Sequence, residues 1–521
     1  MRSRLRFVLT TVVLFSAVFG WVVSIQSAEK NSSYQAALES IRAEDLGGQI
    51  EQLADPEMEG REAGTRGGRA AADYLAEQYA KLHLRGAGDQ GGFLQAFAPN
   101  FHNVLAVLEG SDPKLRDQVI VVGAHYDHVG YGGRGLSLGP YGYVHPGADD
   151  NASGTSAVLE LAQAFTLLSP PPKRSVLFAA WDAEEKGMLG SKYWTSHPTT
   201  PLDHVVAAVN LDMVGRLRDD RLTVLGSRTG YGWRRLLSGQ NDDVGLQLEF
   251  TWLLKSNADH YSFFDHNIPV LMVHTGMHSD YHCPSDVPQR INRSGMVRVT
   301  RLLFGLLDEL ADRPESTPKF RTVARYESPD TEKKLEAERP GTIDRLGVGW
   351  IEDAAATGGV LVATVRKDSP ADRAGIRPGD RIVQFAGQTI RSDDDFFGAV
   401  AAARSPAVVM VRRPQEKEPL QRSVALQGEP LRWGIFWRVD DAEPGAVVLT
   451  HVVPGSPAAR VGLSVGDRIY QVAGRDFLDE TKFEKLVNDS SPSLQLLVEH
   501  QGRQRIVVLR AVQGESTRRA A

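Results

Sequence analysis

Gly123-Ala-His125-Tyr-Asp127-His128 opens, and Gly147-Ala-Asp149-Asp150-Asn151-Ala-Ser-Gly154 closes, the stretch that decides how this chain folds. Val119-Ile-Val-Val122, just before it, is a short apolar run of the kind that forms a buried strand. Thr155 to Leu168, just after it, has apolar residues at helical spacing. A histidine, several carboxylates and many glycines therefore sit where a strand hands over to a helix. Ligands and metals bind at that edge of open α/β sheets. The stretch is expected to hold half of a two-metal site, with other strand ends supplying the remainder.

Working outward, the same arrangement recurs. Asn103–Leu108 reads as a strand. Ser175-Val-Leu-Phe-Ala-Ala180 is another, running into Trp181-Asp-Ala-Glu184-Glu185-Lys-Gly187. Val205–Val209 runs into Asn210-Leu-Asp212-Met-Val-Gly215, and Ile268–Val273 into His274-Thr-Gly-Met-His-Ser-Asp-Tyr281-His282. Strands alternating with helices predict an α/β fold, with a mixed, mostly parallel sheet sandwiched by helices. Residues 33–84 and Ser294–Leu310 read as helical layers, and Met58-Glu-Gly-Arg61-Glu-Ala-Gly64-Thr as a connecting loop.

Two adjacent divalent ions need five or six hard or imidazole ligands, with a carboxylate between them. His125, Asp149, Glu185, Asp212 and His282 offer two nitrogens and three carboxylates, a zinc-like mixture. Asp127, two residues from His125 on an extended backbone, is placed to take the second imidazole N–H. Glu184, beside a ligand, is placed to accept a proton from activated water. Each feature alone has an ordinary explanation. One histidine among fourteen is more often a surface or core residue, a Glu-Glu pair is usually a solvated face, and Asp-Asp is a common turn. Four strands ending in candidate ligands outweigh those readings. His128 and His260 are expected near the cleft without a role in the chemistry.

His-x-Asp, Gly-Ala-Asp-Asp-Asn-Ala-Ser-Gly, Ala-Glu-Glu-x-Gly, Leu-Asp-Met and Tyr-His-x-x-x-Asp, in that order over Ser33–Asp312, resemble the dizinc exopeptidases. That family includes bacterial leucyl aminopeptidases, glutamate carboxypeptidase II and glutaminyl cyclases. The resemblance implies two Zn2+ per chain: His125 and Asp212 on one, Glu185 and His282 on the other, and Asp149 between them. It also implies Glu184 as general base, Asp127 as the orienter of His125, and Tyr281 as a donor to the tetrahedral oxyanion. A cis peptide is expected at Asp149–Asp150. Cys283 stands where the family often has Thr. The implied activity is hydrolysis of N-terminal residues from peptides. The alternatives are a carboxypeptidase, a glutaminyl cyclase, or a scaffold whose peptidase domain is inactive. The Gly- and Tyr-rich loop Gly130–Tyr143 is expected to rim the cleft and to select substrates.

Beyond Pro340 the chain repeats with an offset of 87 residues. Ser369–Gln388 realigns with Ser456–Arg475, with 12 of 20 positions identical. Short strands, Gly turns and one helix per repeat suggest two small, partly open β-barrels that resemble PDZ domains. Leu346-Gly347-Val348 and Trp433-Gly434-Ile435 look like the loops that hold a peptide C-terminus while the peptide adds a strand to the sheet edge. Asp380 and Asp467 read as turn formers.

A net charge of −6 gives no basic face for nucleic acid, and one cysteine among 521 residues rules out an intrachain disulfide. Arg2, Arg4 and Arg6 precede an uncharged apolar run from Phe7 to Val23 and a small-residue stretch to Ala28, the layout of an export leader. The expected organisation is a signal peptide over 1–28, a catalytic domain over 29–312 and a linker over 313–340. PDZ domains follow over 341–427 and 428–514, then a tail over 515–521. The expected location is periplasmic or extracellular, or membrane-anchored if the leader is retained. The expected partners are peptide substrates and C-terminal peptides or proteins.

Overall fold

The computed structural model describes residues 30–97, 100–339, 344–351, 358–490 and 492–510. The leader and the C-terminal tail read from the sequence lie outside the described residues. The chain divides into two compact units, with the boundary between Pro329 and Asp330.

The first unit is built on a nine-stranded sheet. Its strands are β1 (Arg85–Gly86), β2 (Leu94–Phe97), β3 (Phe101–Leu108), β4 (Val119–His125), β5 (Ser175–Trp181), β6 (Val205–Leu211), β7 (Arg221–Leu225), β8 (Gln247–Thr251) and β9 (Val270–His274). The order is β1-β3-β5-β4-β6-β9-β7-β8, with β2 paired to β3. The centre, β5-β4-β6-β9, is parallel, while β3 and β7 pair antiparallel to it. The mixed, mostly parallel sheet expected from the sequence is therefore observed.

β4 and β5 are buried along their whole length, as strands covered on both faces must be. The strand period of two sorts their side chains between two layers. Ile120, Val122 and Ala124 pack with the helices α1 (Ala43–Leu53), α2 (Arg66–Lys81), α3 (Gly154–Thr166) and α7 (Arg293–Asp312). Val119 and Val121 face a smaller core around Trp181, Trp194 and Phe263, formed with α4 (Leu189–Ser196) and α6 (His260–Asp265). α5 (Trp233–Gly239) lies between β7 and β8 in the chain.

The stretch after Asp312, expected to be linker, is part of the first unit up to Pro329. Its few apolar residues hid an ionic anchor. Glu327 receives Arg228 at 2.8 Å and Arg321 at 3.1 Å, and Arg321 also donates to the Arg228 carbonyl at 2.6 Å.

The second unit holds two six-stranded sheets of identical topology. The first contains β10 (Val348–Ile351), β11 (Val360–Val365), β12 (Arg381–Phe385), β13 (Gln388–Thr389), β14 (Ala407–Arg412) and β15 (Leu420–Val424). The second contains β16 (Ile435–Val439), β17 (Val447–Val452), β18 (Arg468–Val472), β19 (Arg475–Asp476), β20 (Ser493–His500) and β21 (Arg503–Arg510). The helices α8 (Pro370–Arg373) and α10 (Pro457–Arg460) are capped by Ser369 and Ser456. The longer α9 (Asp393–Ala402) and α11 (Glu480–Asp489) follow. Asp380 and Asp467 accept the N–H groups of Arg377 and Ser464, which makes them turn formers.

Candidate active site

The C-terminal ends of β4, β5 and β6 and the turn after β9 converge. Their ligand atoms form two groups, each within 4.8 Å: His125, Asp150 and Asp212 in one, and His128, Asp150, Glu185 and His282 in the other. Asp150 is common to both. Its Oδ1 lies 3.4 Å from His125 Nε2, which is also 3.4 Å from Asp212 Oδ1. Its Oδ2 lies 3.0 Å from His282 Nε2, which is 3.1 Å from Glu185 Oε2.

This geometry corrects one expectation by a single residue: Asp150, not Asp149, stands between the two groups. Both carboxylates follow the turn at Gly147, but they face different ways. Asp149 is already committed, because Oδ1 accepts the Gly215 N–H at 2.6 Å and Oδ2 meets His278 Nε2 at 3.1 Å. Asp150 Oδ2 is buried with no hydrogen-bond partner. The cis peptide lies at Asp150–Asn151, not at Asp149–Asp150.

The rest of the Gly147–Gly154 motif fixes this arrangement. Asp286 Oδ2 accepts the N–H groups of Asp149 and Asp150 at 2.9 and 3.1 Å. Asn151 ties the loop to the end of β6, donating to the Leu211 carbonyl and accepting the Met213 N–H. A Cβ on Gly154 would stand 2.4 Å from the Leu211 carbonyl, so only glycine allows that approach.

Each imidazole is oriented by its second nitrogen. His125 Nδ1 faces Asp127, 3.2 Å from its carbonyl and 3.7 Å from its carboxylate. His282 Nδ1 donates to the Leu136 carbonyl at 2.6 Å. Both rings therefore present Nε2 to the carboxylates, the tautomer a metal ligand needs. Asp127 has a further task, since its oxygens accept the N–H groups of Glu184 and Glu185 at 2.9 and 3.3 Å. It thus positions the neighbours of His125 as well as His125. His128, expected only near the cleft, holds Glu185 Oε1 at 3.0 Å.

The sequence presents Arg61 only as part of a connecting loop. It is fully buried and gives its guanidinium to four backbone carbonyls, those of Leu53, Tyr126, Pro146 and Gly147. It therefore clamps the residue after His125 to the turn before Asp149. Its sequence context carried no signal for this. Cys283 is half-buried and belongs to neither ligand group.

Electrostatics separate the two adjacent glutamates. Burial pushes Glu184 well above the usual carboxylate range, with Asp259, Glu185 and Asp212 adding to it against the opposing His125. Burial acts on Glu185 in the same direction, but its position beside the His128 and His282 imidazoles outweighs that and holds it below its usual value. Tyr281 is also raised, by burial and then by Asp150, Glu185 and Asp212, so its hydroxyl stays protonated.

A cavity of about 300 Å³ opens beside these groups, lined by Glu184 and Tyr281 and walled by Met213, Leu225 and Met272. The loop Gly130–Tyr143, expected to select substrates, contributes no described residue to this lining. Its place is under His282, through Leu136. The wall comes instead from the ends of β7, β8 and β9.

The two loops in the second unit are built alike. Leu346 and Trp433 are buried in the cores of their domains. Their carbonyls accept the N–H groups of Ala371 and Ala458. Gly347 and Gly434 take φ of 82° and 77°, and a Cβ there would meet Ser369 and Ser456 at 2.3 and 2.1 Å. Val348 and Ile435 begin β10 and β16, each the end strand of its sheet path.

Residues 103–307 match Peptidase family M28, and residues 361–413 and 448–499 match the PDZ domain. The leupeptin-inactivating enzyme 1 of Streptomyces exfoliatus is 30% identical over 223 residues, covering 40% of this chain and 43% of that protein. Aminopeptidase YwaD of Bacillus subtilis (strain 168) is 27% identical over 228 residues, 42% of this chain and 46% of the relative. The chain thus spans less than half the length of either relative. The crystal structure of the Legionella pneumophila LapA aminopeptidase is 23% identical, covers 54% of this chain and 74% of its own, and superposes with a TM-score of 0.46.

Proposed function

Since the chain carries a Peptidase family M28 domain followed by two PDZ domains, we propose that it is a zinc-dependent exopeptidase that removes N-terminal residues from peptides. The observation that carries this reading is the single carboxylate of Asp150, whose two oxygens face two separate ligand groups. The donors fit zinc: imidazole Nε2 atoms and carboxylates, buried, with Asp150 Oδ2 and His282 Nε2 left unpartnered by the protein. His125 and Asp212 would hold one ion, Glu185 and His282 the other, and Asp150 both. Bound zinc supplies Lewis acidity, polarising a substrate carbonyl and bringing the pKa of water to about 7.

The chain's own residues do the remaining work. Glu184 accepts a proton from the attacking water and returns it to the leaving amine. A carboxylate beside the ligands, and not needed as one, is the group placed to move that proton. Asp127 fixes the backbone of Glu184 through the 2.9 Å hydrogen bond, so base and ligands move together. Tyr281 donates its hydroxyl to the developing oxyanion, and the buried walls of the cavity keep bulk water from competing.

Metal analysis of the purified chain should give two zinc ions. Aminoacyl p-nitroanilides should be hydrolysed, and Glu184→Gln should lower kcat by roughly 10²–10⁴-fold with the zinc retained. Full turnover in that variant with both ions bound would overturn the assigned base.

The PDZ repeats are proposed to recruit peptides or partner proteins by their C-termini, at the edges of β10 and β16. The apolar leader supports export, which cell fractionation tests directly.

A further inference from the structure

The cavity contains a cation that the proposed chemistry does not use. Lys255, on the loop after β8, lines the same cavity as Asp150, Glu184, Glu185 and Asp212. Its residue is exposed, which places it at the solvent side of the cavity. Among the described residues it enters no ion pair. Its charge is felt by His274, also in the lining, which burial lowers from its usual pKa and Lys255 lowers further against Asp212. His274 Nδ1 accepts the Gly276 N–H at 3.0 Å, so the neutral ring carries its proton on Nε2. The hydroxyls of Thr223 and Thr251 and the amide of Asn257 add donors to this wall.

Charge balance makes the lysine significant. The four carboxylates in the lining would be offset by the two divalent ions of the zinc-peptidase reading. The free amine of an aminopeptidase substrate adds another positive charge. Lys255 then stands uncompensated in a cavity whose remaining walls are apolar or donor-rich. A neutral side chain in that space leaves the ammonium to water alone, whereas a carboxylate pairs with it.

We propose that Lys255 selects a substrate carboxylate, first of all the side chain of an N-terminal Glu or Asp. This rests on the zinc-peptidase reading and names the substrate class of that site. A peptide's terminal carboxylate presents the same chemistry, so Lys255 is also the basic clamp that a carboxypeptidase of this fold would need.

The test uses the zinc-loaded full chain with Glu-, Gln-, Leu- and Lys-p-nitroanilides and an Nα-acetylated dipeptide with a free C-terminus. The parent should prefer Glu over Gln by roughly tenfold or more in kcat/KM, the worth of one charged hydrogen bond. Lys255→Met should bring that ratio to about one, and Lys255→Glu should shift the preference to Lys. If the acetylated dipeptide is cleaved instead, and Lys255→Met abolishes that cleavage, the selected carboxylate is the terminal one. A Glu/Gln ratio at or below one in the parent, with the acetylated dipeptide intact, overturns the proposal, as does a preference unchanged in Lys255→Met. Leu hydrolysis without any carboxylate preference refutes only the role of Lys255. If nothing in the panel is hydrolysed, the peptidase reading falls and calorimetric binding of glutarate decides for Lys255. Binding lost in Lys255→Met supports the role, and no binding by the parent refutes it.

Discussion

Two buried arginines, one in each unit, do similar work with different consequences. Arg61 is fully buried and donates to four backbone carbonyls around the candidate metal centre. Arg345 is 5% exposed and donates to the carbonyls of Val400, Ala401 and Ala403 at the end of α9, and of Gln427 and Gly428. Burial lowers both guanidinium pKa values, that of Arg61 to about 10. Each replaces water for carbonyls that would otherwise be orphaned. Arg61, however, donates to the turn that carries Asp150, whose Oδ2 the protein leaves unpaired, whereas Arg345 closes the end of α9, away from any candidate ligand group. In the second repeat the equivalent Arg432 lies over the Trp433 ring, 4.6 Å from its centroid. The difference teaches that the candidate site is marked by unpaired polar atoms converging on one place, Asp150 Oδ2 and His282 Nε2. Burial of charge alone does not mark it.

The largest effect should follow from the carboxylate that is left unpaired. Asp150→Asn weakens both ligand groups at once, and kcat/KM should fall by roughly 10³-fold or more, about 4 kcal/mol of barrier, with zinc lost on dialysis. Asp149→Asn, which keeps an oxygen for the Gly215 N–H, should cost roughly tenfold or less. Equal losses in the two variants would undo the distinction between them.

Arg61→Met comes next. It orphans buried carbonyls on both sides of the centre, a loss of about 3–5 kcal/mol in unfolding free energy. Zinc affinity should fall by roughly 10–100-fold, because the ligand-bearing loops lose their common tie. Arg345→Met should destabilise only the second unit, by about 2–3 kcal/mol. Calorimetry should show one of two transitions moving, while zinc content and hydrolysis of small substrates stay at parental values. A change in zinc affinity for Arg345→Met would erase the contrast between the two arginines.

These residues also show what could be read before folding. Buried strands announce themselves as apolar runs, so β4, β5, β6 and β9 were legible, and with them the convergence of His125, Glu185, Asp212 and His282. Adjacent carboxylates are a different matter. Nothing in Asp149-Asp150 says which one the turn aims inward, and the answer depends on Gly215 and His278, far along the chain. Arg61 was illegible because its partners are backbone carbonyls, which every sequence has. Lys255 was illegible because the walls of the cavity are strand ends and loops, whose placement no periodicity encodes. The short strands β7 and β8 were missed for the same reason, and they carry much of that wall.

The smallest effect sets a carboxylate with an unmet oxygen against one fully paired. Asp380 in the second unit receives Arg413 through two bonds of 2.7 and 2.8 Å. Glu160 on α3 is fully buried and receives Gln49 at 2.7 Å, while its Oε2 meets no side-chain donor and Arg42 offsets the burial only in part. Burial, reinforced by Asp45, raises its pKa from 4.5 to about 7. Between those two values the native state holds a proton that the unfolded chain has released. Stability must therefore fall as pH rises through this window and level off above it. At about 1.4 kcal/mol per unit, and allowing for relaxation around the site, the loss is about 2 kcal/mol. Glu160→Gln is neutral at every pH and removes this slope. Its unfolding midpoint should match the parent near pH 4.5 and exceed it at pH 8. Asp380→Asn should instead destabilise at pH 8, because it breaks a pair that already satisfies its charge. A Glu160→Gln midpoint that tracks the parent at both pH values would show that the unmet oxygen carries no cost.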